Sequence, residues 1–198
     1  VNDVRIGARQ LRRSPAFAVT AVVTLAVAIG AAAAMLSVID PVLLRPLPYA
    51  APGRLMLIAE RNADGTSDGI GYQTVADLAA QSHSLERWAA VGGWGPTIGD
   101  RDVEVVTGAR VSWGYFRTLG VSVALGRDFL AEEDNQSRNQ VVILSHGLWQ
   151  RRFGSDSAII GKSIIVNGGS MLVAGVMPAS YHDVVVSGAQ IWRGLGYD

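Results

Sequence analysis

At 198 residues the chain has room for one globular domain beside any membrane anchor. Lys plus Arg and Asp plus Glu both number 17, so no net field gathers nucleic acid or an acidic substrate. The lack of cysteine excludes disulfides, thiolate catalysis and cysteine-based zinc sites, while a charged fraction of 17% and a mean hydropathy of +0.25 indicate a segment that avoids water.

Residues 1–15 place Arg5, Arg9, Arg12 and Arg13 against a single Asp3. Wound as a helix, this segment puts Val4, Ala8 and Leu11 on one face and Arg5, Arg9 and Arg12 on another, a basic anchor suited to membrane lipid. No charge then occurs from Ser14 to Ile39, and residues 16–39 are apolar on every side of a helix. About 24 residues at ~1.5 Å rise cover roughly 36 Å, enough to cross a ~30 Å hydrocarbon core with some tilt, so a transmembrane helix is predicted. Downstream of Asp40 the first dozen residues carry only Arg45. The positive-inside rule therefore predicts a cytoplasmic N-terminus and an extracytoplasmic remainder. The rival reading is a cleaved secretory signal, with Arg12-Arg13 as the basic region and Ala31–Ala34 as the processing site. Against it, the run outlasts an ordinary signal core and continues through Met35–Ile39. Ala26, Gly30 and Ala34 form a small-residue stripe of the kind that packs helices closely, although a helix this rich in alanine also yields such spacing by chance.

Residues 40–53, punctuated by Pro41, Pro46 and Pro48, are expected to be a stiff connector, and residues 54–198 an extracytoplasmic domain. In chain order we expect a strand at Arg54–Ala59, a polar loop at Asn62–Gly71 and a helix at Tyr72–Gln81. Strands at Leu85–Val91 and Val103–Val111 flank a loop holding Gly92, Gly93, Gly95 and Pro96, and Trp113–Leu119 reads as a short helix. Val141–Leu144 reads as a buried strand, followed by a helix capped by Ser145 and running to Phe153. Ser163–Val166 and Met171–Val176 flank Asn167-Gly168, a hairpin signal. Short strands and helices alternating without long regular units predict an α+β fold.

The chemistry-bearing motifs are weak. Gly161-Lys162-Ser163 resembles the tail of a phosphate-binding loop, but Asp156 stands where the first glycine belongs and a strand follows where a helix should open. Ser145 and His146 are sequential on a helix and diverge, so they do not make a nucleophile and its base. His83, His146 and His182 lack metal-ligand spacing, and Asp128, Glu132, Glu133 and Asp134 lack the alternating oxygens of a calcium loop, which leaves them as surface histidines and a solvated turn. Most of the five tryptophans, which include Trp88, Trp94, Trp113 and Trp149, are expected in the core. No catalytic, cofactor-binding or metal-binding residue is predicted, and no enzyme activity.

Longer blocks carry a resemblance. Arg9–Phe17, Leu43–Tyr49, Arg110–Ser112, Tyr115–Val121, Leu125–Phe129, Val141–Gly154 and Gly161–Pro178 together resemble the N-terminal part of MacB/FtsX-type ABC transporter permeases with a MacB-like periplasmic core domain. The resemblance implies a subunit of the bacterial inner membrane that works as a dimer and couples ATP hydrolysis by a partner ATPase to motion of its periplasmic domain, in export or mechanotransmission. An adaptor or substrate protein would meet that domain, ATP would be bound by the partner alone, and Gly147, Gly154 and Gly175 would serve in turns. The family pattern continues past Asp198 into further transmembrane helices, so the resemblance also implies a core domain incomplete at its C-terminus. The alternative is an independent single-pass envelope binding or scaffold protein that does not transport.

Overall fold

The computed structural model describes residues 15–39, 49, 51–61, 67–68, 71–135 and 137–196. The basic anchor Arg5, Arg9, Arg12 and Arg13 lies outside them, as does most of the connector. The chain divides into two compact units, 1–47 and 48–198.

The first unit contributes one helix, α1, Pro15–Ile39. Its residues 15–37 have a mean hydropathy of 2.3 and satisfy the length and composition of a membrane span. The few hydroxyls are answered within the helix. Thr20 donates to the Ala16 carbonyl, Thr24 to that of Thr20 and Ser37 to that of Ala34, each at 2.8 Å. No side-chain hydroxyl there is left to demand water.

The second unit is a mixed α+β domain. Short strands β1 (Glu60–Arg61) and β2 (Ser67–Asp68) pair with each other, and α2 spans Tyr72–Gln81. The remaining strands are β3 (Val91–Trp94), β4 (Thr97–Ile98), β5 (Glu104–Val105), β6 (Gly108–Val111), β7 (Leu125–Gly126), β8 (Val141–Leu144), β9 (Ser163–Val166), β10 (Gly169–Val176) and β11 (Ile191–Gly194). They form one sheet of nine strands in the order β3-β6-β11-β8-β10-β9-β4-β5, with β7 also on β10. The β11–β6 and β10–β8 pairs are parallel and the others antiparallel. Two further helices are α3, Tyr115–Leu119, and α4, His146–Phe153.

Strand β8 explains the layering. Val141 and Ile143 point into one core with Phe116, Phe129 and Trp192, while Val142 and Leu144 point into a second with Leu148, Val173 and Ile191. Successive side chains alternate between faces, so a strand apolar at every position must be covered on both sides. Helix α3 covers one face through Tyr115 and Phe116, and α4 the other through Leu148. The Ser145 hydroxyl caps α4 by accepting the Leu148 N–H at 3.1 Å, and Gly154 closes it at φ 60°.

Several expectations shift. The strand expected at 54–59 is absent. Pro52–Arg54 form a 3-10 turn, residues 55–59 are irregular, and β1 starts at Glu60. Strand β3 starts only at Val91 and takes in Gly92 and Gly93, expected in a loop; Val103–Val111 breaks into β5 and β6; and α3 starts at Tyr115. Of the three glycines expected in turns only Gly154 is in one. Gly147 lies inside α4, and Gly175 lies in β10 beside a register shift, where a Cβ would come within 2.6 Å of Val123 and 2.7 Å of the Arg127 carbonyl. Trp192 is buried, and Trp94 and Trp149 pack on the second core, but Trp88 and Trp113 are exposed.

The acidic group is not a solvated turn. Glu133 is buried, bonded by Arg127 at 2.5 and 2.9 Å and by the Leu130 N–H at 2.9 Å. Asp134 accepts the N–H groups of Trp113 at 3.1 Å and Leu195 at 3.2 Å, tying the turn to the approach to α3 and the end of β11. Burial pushes the carboxyls of Asp128 and Asp134 above the usual carboxylate range. Burial acts the same way on Glu133, but the Arg127 pair and the Leu130 N–H outweigh it and hold that carboxyl below the range.

A depressed carboxyl adds stability that is present above its unfolded value, near ~4.3, and is lost as pH falls through its folded value. Arg127→Met leaves Glu133 buried without its cation, and we expect a loss of about 2 kcal/mol at pH 7. The gap to the wild type should narrow below about pH 4. Urea denaturation of the detergent-solubilised chain checks this by fluorescence, because all five tryptophans lie beyond residue 87. A gap independent of pH would refute it.

Candidate functional site

Helix α1 places Ala26, Gly30 and Ala34 on one stripe, and all three are exposed. Among the described residues a Cβ built on Gly30 meets nothing within 4 Å.

In the domain, the segment from Met177 to Gln190 crosses between β10 and β11 and holds the densest polar cluster. Its centre is Asp183, buried and missed by sequence reasoning because an isolated aspartate in a loop gives no signal. The carboxyl accepts the Tyr115 hydroxyl at 2.9 and 3.0 Å, the Trp192 indole N–H at 2.9 Å and the Tyr181 hydroxyl at 3.3 Å. Two backbone N–H groups, Val185 and Val186, donate to it at 3.0 Å. Burial pushes the Tyr115 phenol far above its ordinary value, with the Asp183 charge adding to it, and it does the same for Tyr181 with help from Tyr115 and Asp183. Both phenols therefore remain donors. The Tyr49 hydroxyl accepts the Val184 N–H at 3.3 Å, which seats the end of the connector in the same core.

A cleft of about 330 Å³ opens beside this loop, lined by Ser145, His146, Gly147, Tyr181, His182 and Asp183 among others. Its polar groups are engaged in holding the fold. The Ser145 hydroxyl caps α4, the His146 ring packs edge-on against Trp149 at 5.5 Å, and His182 Nδ1 lies 3.2 Å from the Ser180 carbonyl. Ser145 and His146 are neighbours in the chain but no hydrogen bond joins them among the described residues. Nor do three His, Asp or Glu side chains converge there as a metal set. Gly161-Lys162-Ser163 forms a turn into β9, with Gly161 at φ 79° and Lys162 3.4 Å from Asp156, and opens no helix.

Because Asp183 is surrounded by donors, Asp183→Ala strands several buried N–H and O–H groups and should cost about 3 kcal/mol or more. Asp183→Asn keeps one acceptor oxygen and should lose less than the alanine variant. Urea midpoints of the two variants against wild type test the order, and equal losses would show that the acceptor role is not what holds the loop.

The comparisons fit this architecture. A sequence model described as the MacB-like periplasmic core domain matches residues 18–196. The extracellular domain of the ABC-type transporter YknZ from Gram-positive bacteria superposes with a TM-score of 0.55 at 16% identity, covering 70% of this chain and 71% of that one. The periplasmic region of MacB from Actinobacillus actinomycetemcomitans gives a TM-score of 0.52 at 15% identity, covering 74% of this chain, which spans 61% of that region. At those identities the likeness is one of fold. No curated protein sequence matches the chain. The sequence match extends from within α1 to just beyond β11, nearly the whole chain, and by it the chain belongs to the MacB-like periplasmic core domain family.

Proposed function

We propose that the chain is part of an ABC-type transporter permease, in which α1 is a membrane helix and the α+β domain lies outside the cytoplasm. A partner ATPase at the cytoplasmic face hydrolyses ATP, and the motion reaches the domain through α1 and the proline-punctuated connector. The domain then acts mechanically on an adaptor or substrate protein, without catalysis and without a cofactor of its own. The observation that carries this reading is the family match over residues 18–196, which begins inside an apolar helix of membrane-spanning length.

Two features support the mechanical part. Tyr49 lies only ten residues beyond the end of α1, and its ring sits in the first core with its hydroxyl on Val184. A pull on the connector is thus delivered to the Asp183 loop. The commitment of Ser145 to capping and of Asp183 to packing favours a binding role over turnover. Hydrolytic activity abolished by Ser145→Ala would overturn the non-enzymatic part.

Topology is tested with introduced cysteines, since the native chain has none. In spheroplasts, Ser170→Cys should react with a membrane-impermeant maleimide, whereas Asn2→Cys should react only after the membrane is permeabilised. The reverse pattern would sink the assignment. Gly30→Leu should leave insertion intact and reduce crosslinking between copies in the membrane by about half or more, because a bulky side chain holds the backbones apart. Unchanged crosslinking would remove the stripe from the packing surface.

A further inference from the structure

We propose that Arg110 and Arg193, side by side on the sheet, form a binding site for a phosphate-type dianion. The register brings the residues together. Gly92 on β3 pairs with Arg110 on β6, Arg110 with Arg193 on β11, and Arg193 with Val142 on β8, so the four make one row across the sheet. Val142 belongs to the second core, which places the row on the face covered by α4. Leaving that core, the row passes from a buried valine to a half-buried arginine and then to an exposed one.

Like charges directly opposite on adjacent strands, about 4.8 Å apart, repel each other and are tolerated only with a compensating partner. Many cations elsewhere on the domain have one, the exposed Arg101 and Arg138 being exceptions among the described residues. Arg127 faces Glu133, Arg151 and Arg152 face Glu104, and Lys162 faces Asp156. Among the described residues neither Arg110 nor Arg193 has a carboxylate partner. Arg193 is also held in place. Its guanidinium lies over the Trp94 ring, 5.3 Å from the centroid, and its buried Nε has no hydrogen-bond partner. Burial, with the Arg110 charge adding to it, lowers its pKa.

The geometry also leaves room. A Cβ built on Gly92 meets nothing within 4 Å, so the row ends in open space beside the exposed Arg110. A phosphate monoester carries about −1.5 to −2 charge at neutral pH and three acceptor oxygens, enough to neutralise both cations and to engage two planar donor forks at once. A single carboxylate would leave one guanidinium uncompensated. The shared chemistry is a terminal phosphate, either free inorganic phosphate or the phosphomonoester headgroup of a lipid.

The test is calorimetric titration of the full chain in uncharged detergent. Inorganic phosphate should give saturable heat with a dissociation constant of about 1 mM or tighter, beyond that of chloride at equal ionic strength. Arg110→Gln, an exposed change that spares the core, should weaken binding at least tenfold. Gly92→Asp, which places a carboxylate beside Arg110 in the same row, should abolish it while the far-UV spectrum stays unchanged. Short-chain phosphatidic acid below its micelle concentration separates the sources. Binding tenfold tighter than inorganic phosphate identifies a lipid headgroup, and equal or weaker binding identifies the free ion. No saturable heat up to 20 mM, binding unaffected by both substitutions, or acetate binding as tightly as phosphate would each overturn the proposal.

Discussion

The domain depends on one buried carboxyl. Five donor groups, from the Tyr115, Tyr181 and Trp192 side chains and the Val185 and Val186 backbone, converge on Asp183. The three side-chain donors are buried, where an unanswered N–H or O–H costs far more than a made bond returns. The arrangement fixes α3 through Tyr115, the middle of the sheet through Trp192 and the intervening loop through its own backbone. The aromatic rings around it then pack edge to face: Phe116 meets Tyr115 at 5.4 Å, and Trp192 and Tyr181 at 5.7 Å. A polar centre specifies the geometry, and an apolar shell built on that geometry supplies the burial.

The same logic recurs at the domain's other tight joint. Where Arg127 leaves β7, its guanidinium reaches Glu133 while its carbonyl closes on Gly175 of β10, so that the chain reversal, the ion pair and the register shift occupy one place. Gly126, at φ 82°, and Gly175 let backbones approach there; a side chain at Gly126 would collide with the Ala174 carbonyl. Tyr49 joins the domain at the other joint, its hydroxyl meeting the loop whose aspartate organises the core.

The long apolar helix was legible in the sequence because its signal is local: an unbroken apolar run of sufficient length needs no partner to be recognised. So were β8, the capped helix after it and the hairpin at Asn167-Gly168, where a four-residue apolar run, a Ser N-cap and an Asn-Gly turn each act within a few residues. The family blocks were readable for a related reason, since they are strings of adjacent residues. Strand ends at 54–59, 85–91 and 103–111 were not, because short strands exist only where a neighbour pairs with them.

What the sequence determined by itself was therefore the apolar span and the α+β class. The tertiary structure alone decided which charges matter. Asp183 meets Tyr115 across 68 residues, Glu133 changes from a surface acid to a buried one, and Arg110 comes to lie beside Arg193. No periodicity encodes these pairings. They arise when strands distant in the chain settle into register and carry their side chains into contact.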